Sequence, residues 1–172
     1  HLFASIKTTD DGKVKKIAGK KVGVWCCGNE NELFAALVNG GYVDPQAGTS
    51  THPLHFIGHS RGCSVISETI QRLGAHGINV HYATSLDPHD FDEDLVPDDD
   101  VFHDPATQVW NNVHYADNFW QDYDGPGGIG CVIPNPDGRS LGHLQVGYEH
   151  NYYLDSIAGF TQCGGHSKVV TW

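Results

Sequence analysis

At 172 residues the chain fits one domain, 1–172, large enough to bury a hydrophobic core. A formal charge of −11 with only 10 Lys+Arg excludes the basic face that a nucleic-acid partner needs. No apolar run approaches the length of a membrane-spanning helix.

The first residues, His1-Leu2-Phe3, carry neither an initiator Met nor a signal peptide, and the chain reads as a processed or trimmed piece. Residues 1–21 hold an Asp11-Gly12 turn signal between segments carrying Ile6 and Val14, the pattern of an N-terminal hairpin or extended arm. Lys13, Lys15, Lys16, Lys20 and Lys21 along it suit a solvated edge. The run Val22-Gly23-Val24-Trp25-Cys26-Cys27, ended by Gly28-Asn29, has the continuous apolarity of a strand buried on both faces of a parallel sheet. Leu33, Phe34, Leu37 and Val38 then share a helix face that Asn39-Gly40-Gly41 terminates. Asp44 to Pro53 reads as a surface loop.

Leu54-His55-Phe56-Ile57 leads straight into Gly58-His59-Ser60-Arg61-Gly62, and Cys63, Ile66, Ile70 and Leu73 follow at helical spacing. Strand, sharp turn and helix succeed one another without a linker. A serine held on such a turn needs neighbours without Cβ atoms, and the new helix aims its first N–H groups, that of Arg61 included, at the space above the Ser60 hydroxyl. Ile78–Thr84 is the next expected strand, and Ser85-Leu86-Asp87-Pro88 lies at its end. Strand, helix and strand of these lengths imply a parallel crossover, which delivers Asp87 to the rim of the sheet that carries Ser60.

From Asp90 to Asp104 the chain is dense in acid. Such oxygen-rich loops can hold Ca²⁺, with Asp98, Asp100 and Asp104 as candidate ligands, but the regular spacing of an EF-hand is absent and a solvated loop is the preferred reading. Val109–Trp120 suggests a short strand followed by a segment lining a cleft, with Trp110 and Val113 in the core. Residues 91–140 as a whole read as a loop-rich region over the cleft. Of the five cysteines, Cys26 and Cys27 are adjacent and Cys63 belongs to the helix stripe, so Cys131 and Cys163 are the two free to meet in loops. One loop disulfide leans the compartment toward extracellular or periplasmic.

A serine hydroxyl is a poor nucleophile until a base removes its proton and a carboxylate fixes the base's tautomer. Twelve histidines offer many choices. His55 and His59 read as packing residues, the side chain of His59 pointing away from the site. His114, His150 and His166 lie downstream of Asp87, in the order Ser, Asp, His, and His166 is favoured on its glycine-flanked loop near the end of the chain.

Several separated blocks carry a resemblance: Phe56–Gly62, Ser67-Glu68 with Ile70–Gly74, Leu86–Asp90, Val109–Val113 with Ala116–Phe119, and His166-Ser167 with Val169 and Trp172. Together they resemble a family of bacterial serine α/β-hydrolases of the lipase/esterase type, over roughly residues 53–172. The resemblance implies an α/β-hydrolase fold, compact or truncated, with a mostly parallel sheet flanked by helices. It also implies Ser60 as nucleophile, Asp87 as acid, His166 as base, and a cleft shaped by Asp117 and Asn118. In that family the run Val22–Cys27 corresponds to the strand before the elbow strand, and the second oxyanion donor comes from further upstream. Either the chain is part of a longer protein or it is a compact variant that uses the N–H of Gly28 or Asn29. The expected activity is hydrolysis of a small-molecule or lipid carboxylic ester, with no cofactor. The alternatives are a metal-dependent hydrolase using the histidines with Asp87, Asp90 or Asp104, and a non-catalytic module lacking a complete oxyanion hole.

Overall fold

The computed structural model describes residues 2–5, 15–17, 20–22, 30–88, 107–121, 141, 148–154, 157 and 165–170. In chain order its strands are β1 (Leu2–Ser5), β2 (Lys15–Ile17), β3 (Lys20–Val22), β4 (Val43–Asp44), β5 (Thr49–Ser50), β6 (Leu54–His59), β7 (Val80–Leu86), β8 (Val113–Trp120) and β9 (Tyr148–Tyr153). Its helices are α1 (Glu30–Asn39), α2 (Gly62–Ala75) and α3 (Gly165–Lys168).

Five strands form one sheet in the order β1-β6-β7-β8-β9, and every pair in it is parallel. A parallel sheet needs a crossover between neighbours, which α2 supplies between β6 and β7. The molecule is thus a small α/β fold, a parallel sheet flanked by helices.

The core lies between this sheet and the helices. Leu33 and Leu37 of α1, Ile66, Ile70 and Leu73 of α2, and Leu54, Phe56, Val80 and Ala83 of the strands form one buried cluster, with Trp110 and Val113 packed against it. Burial of each large aliphatic or aromatic side chain contributes about 1.5–3 kcal/mol. Helix α1 stops where Gly41 enters the left-handed region at φ 68°. The Gly41 N–H then donates to Val38 O at 3.0 Å and the Tyr42 N–H to Leu37 O at 2.9 Å, the Schellman closure. At the far end of α2, Asn112 Nδ2 donates to Ile70 O at 2.9 Å and to Ile78 O at 3.0 Å, tying the helix to the entry of β7.

The N-terminal region departs from its expected form. Leu2–Ser5 is not an arm: it pairs in parallel with Leu54–Ile57 as the strand beside β6. This pairing satisfies backbone groups of both strands. The hairpin lies later, Lys15–Ile17 against Lys20–Val22, and Val22 therefore belongs to an antiparallel pair outside the main sheet. Residues 23–29, including Gly28 and Asn29, fall outside the described residues.

Three further expectations change. The stretch after Asp44 contains the antiparallel pair β4–β5, whose turn the Asp44 carboxylate caps by accepting from the N–H groups of Gln46 and Ala47 at 2.9 and 3.1 Å. Residues 113–120, expected as a short strand and a cleft lining within a loop-rich region, form one eight-residue strand in the parallel ladder. It pairs with β7 on one side and β9 on the other, so residues expected to line a cleft lie within the sheet. β9 was not anticipated at all, because Tyr148-Glu149-His150-Asn151-Tyr152-Tyr153 lacks apolar alternation and is held by pairing to β8. Among the described residues no helix is long and apolar enough to cross a membrane.

Candidate active site

β6 ends at His59 and α2 begins at Gly62, so Ser60 and Arg61 alone make the corner between them. Ser60 adopts φ 55° to do so, a left-handed conformation that costs a residue with a Cβ about 1–2 kcal/mol. Backbone bonds on both sides hold it there. The Ser60 N–H donates to Leu86 O at 3.0 Å, and Ser60 O accepts from the Cys63 N–H at 2.9 Å. The first of these bonds ties the serine to the last residue of β7.

The residue after Leu86 is Asp87, at φ 50° and 0 % exposed. Ser60 and Asp87 are the two non-glycine residues with positive φ among the described residues, and they sit at the ends of adjacent strands on the carboxyl rim of the sheet. The Asp87 N–H donates to Phe119 O at 2.6 Å, which fixes it against the end of β8.

His166 lies in the single turn α3 and not on the open loop expected for it. Leu154 and Val169, buried together with Leu86, Phe119 and Ile157 packed around them, seat that turn against the ends of β7 and β8. Its ring meets Asp87: His166 Nδ1 donates to Asp87 Oδ2 at 2.6 Å, between side chains 13 % and 0 % exposed. A neutral imidazole with its proton on Nδ1 keeps its lone pair on Nε2, which is the form a general base requires. The structure thus brings Ser60, Asp87 and His166 to one corner of the fold through residues far apart in the chain.

His59 corrects an expectation. Leu54, Phe56 and Gly58 alternate toward α2, so His55, Ile57 and His59 face the other side of the sheet, and the end of that side is where α3 packs. His59 therefore points to His166 and not away from it. Its ring lies 4.6 Å from that of His166, and its Nε2–H donates to His166 O at 2.9 Å.

Gln121 was not singled out from the sequence. It follows β8, is 0 % exposed, and grips Asp87 twice: its N–H donates to Asp87 Oδ1 at 3.0 Å and its Nε2 to Asp87 Oδ2 at 2.8 Å. A lone glutamine gives no periodic or motif signal, so only the fold reveals it. Arg61 follows the serine with helical angles, φ −54° and ψ −24°, at the N-cap of α2. Cys63 is a buried thiol whose Sγ–H points to Leu86 O at 3.7 Å.

The other candidates go elsewhere. His114 lies exposed on β8, its ring 6.1 Å from that of His81. His150 Nδ1 donates to Asp117 Oδ1 at 3.2 Å, and the second oxygen of Asp117 accepts from the Tyr82 hydroxyl. His55 Nε2 bonds Thr84 Oγ1 at 3.0 Å. Asp117 is therefore committed to a polar cluster on the face of the sheet opposite α2, and Asn118 Nδ2 donates to Asn151 Oδ1 at 2.8 Å. Asp90, Asp98, Asp100, Asp104 and the Cys131–Cys163 pair lie outside the described residues. Among the described residues no group of three or more His, Cys, Asp or Glu side chains converges as a metal site.

The cluster yields a stability prediction. The hydrogen bond to Asp117, then burial and the Asp117 charge, push the Tyr82 hydroxyl up to about 12, above the unfolded value near 10. The native state holds that proton more tightly, so its stabilising contribution is complete below about pH 10 and fades as pH rises toward 12. Tyr82→Phe is expected to lower Tm near neutrality and to shrink the further loss between about pH 10 and pH 12, measured by thermal unfolding at each pH.

Comparison with protein-family models, with curated proteins and with solved structures returns no match. What the corner can do follows from its own residues and distances.

Proposed function

We propose that this chain is a serine hydrolase of carboxylic esters, with an α/β-hydrolase arrangement and a Ser60-His166-Asp87 triad. The observation that carries the reading is the 2.6 Å bond from His166 Nδ1 to a fully buried Asp87, beside a serine held at φ 55° on a strand-to-helix corner. The all-parallel order β1-β6-β7-β8-β9, with Ser60 and Asp87 at neighbouring strand ends, supports it.

In this reading His166 Nε2 takes the hydroxyl proton as Ser60 Oγ attacks the acyl carbon. The tetrahedral intermediate collapses as the imidazolium returns that proton to the departing alkoxide. Water, deprotonated by the same nitrogen, then releases the acid. Asp87 stays ionised and stabilises the imidazolium at both steps. The N–H of Arg61 serves the developing oxyanion. The second donor is proposed from Gly28 or Asn29.

The test is turnover of a series of p-nitrophenyl esters, together with labelling by a serine-reactive phosphonate. Wild type is expected to turn over and to label, while Ser60→Ala abolishes labelling and lowers kcat by roughly 10⁵-fold or more. A folded wild-type chain that neither labels nor turns over any activated ester overturns the reading and leaves a non-catalytic module.

A further inference from the structure

We infer that Gln121 is the positioning residue of the acid–base pair, clamping the Asp87 carboxylate so that the remaining acceptor direction of Oδ2 faces His166. The inference rests on the reading of Asp87 and His166 as acid and base.

Both ends of the clamp come from one residue. The Gln121 N–H reaches Asp87 Oδ1 at 3.0 Å and its side-chain Nε2 reaches Oδ2 at 2.8 Å, while His166 Nδ1 reaches the same Oδ2 at 2.6 Å. A backbone donor on one oxygen and a side-chain donor on the other remove the carboxylate's freedom to rotate about its Cβ–Cγ bond. The backbone reinforces this, because the Asp87 N–H bonds Phe119 O at 2.6 Å, two residues before Gln121. Gln121 and Asp87 are both 0 % exposed, so water is not at hand to replace a donor that is lost.

The amide is also suited by its charge. It donates to the carboxylate while adding no charge of its own, so Asp87 is left as the anion facing the imidazolium. A glutamate of the same shape would set a second carboxyl against the first. The two would then share a proton at low pH and repel at high pH, and the added negative charge would favour the protonated imidazole.

The test uses the full chain with Gln121→Ala and Gln121→Glu. Three quantities are read: kcat and KM for a p-nitrophenyl ester, the pH profile of kcat/KM, and the NMR titration of the His166 ring, recognised as the resonance lost in His166→Gln. Gln121→Ala is expected to lower kcat about 10- to 100-fold with KM within about twofold. Gln121→Glu is expected to move both the acidic limb of the pH profile and the His166 titration to higher pH, and the Nδ1 proton resonance is expected to weaken in Gln121→Ala. A merely structural glutamine moves stability and leaves these pH midpoints in place.

Folded variants with unchanged kcat, pH limb and His166 titration overturn the inference. Should Gln121→Ala fail to fold, the near-isosteric Gln121→Glu carries the test. A wild type without turnover refutes the hydrolase reading alone, because the titration still separates the two: a shifted His166 in Gln121→Glu upholds the clamp, and an unshifted one refutes it.

Discussion

In the proposed mechanism Asp87→Asn is expected to cost either rate, about four orders of magnitude in kcat for ester hydrolysis, or stability, because the amide cannot satisfy the three donors that now meet the carboxylate. If its NH₂ takes the place of Oδ2, it faces His166 Nδ1, and the ring accepts there only by moving its proton to Nε2. That tautomer has no lone pair left for the serine. If the NH₂ takes the place of Oδ1, His166 keeps the productive tautomer, but the NH₂ faces the buried Gln121 N–H. A buried donor left without an acceptor costs about 1–3 kcal/mol. Loss therefore falls on rate in one arrangement and on stability in the other. Paired measurements of kcat and Tm separate them, and a variant retaining both wild-type values would remove Asp87 from the proposed mechanism.

Gly58→Ala is expected to destabilise the fold by about 3 kcal/mol and to disable the site with it. A Cβ at this position would stand 2.7 Å from Gly62 O and 2.9 Å from Cys63 N and Cα. These are backbone atoms of the first turn of α2, so no side chain can swing aside. Either β6 and α2 separate or the corner that holds Ser60 opens. For a chain of this length the loss corresponds to a fall in Tm of about 6–12 °C. Gly41→Ala is the control, since Gly41 has φ +68° and nothing within 4 Å of its added Cβ. There the cost is conformational alone, about 1–2 kcal/mol, and phosphonate labelling of Ser60 should persist. Equal effects at the two glycines would count against close packing as the reason for Gly58.

The strand, corner and helix around Ser60 are legible in the sequence because three local signals coincide: an apolar run, two glycines about the serine, and a 3.6-residue stripe from Cys63 to Leu73. Asp87 and His166 are legible as positions through chain order and the rim rule, but their 2.6 Å contact spans 79 residues and needs the fold. What stays hidden depends on pairing and direction. Leu2–Ser5 carries no mark that it will lie beside Leu54–Ile57, and the Asp11-Gly12 turn signal drew the reading toward a hairpin in its place. β9 is built of polar and aromatic residues whose strand state is imposed by β8. His59 reads as a packing residue because neighbours in a strand point apart, yet α3 closes over the side to which it points.

The short β1 guards the chain in a way its length conceals. It covers the outer side of β6, the strand that ends at the serine corner. Loss of the β1 pairing would leave Leu54–Ile57 outermost among the described strands, with a row of unsatisfied amide and carbonyl groups along it. Such a row is a template for another chain's strand, so molecules that lose this pairing would self-associate through the strand that leads into the Ser60 corner.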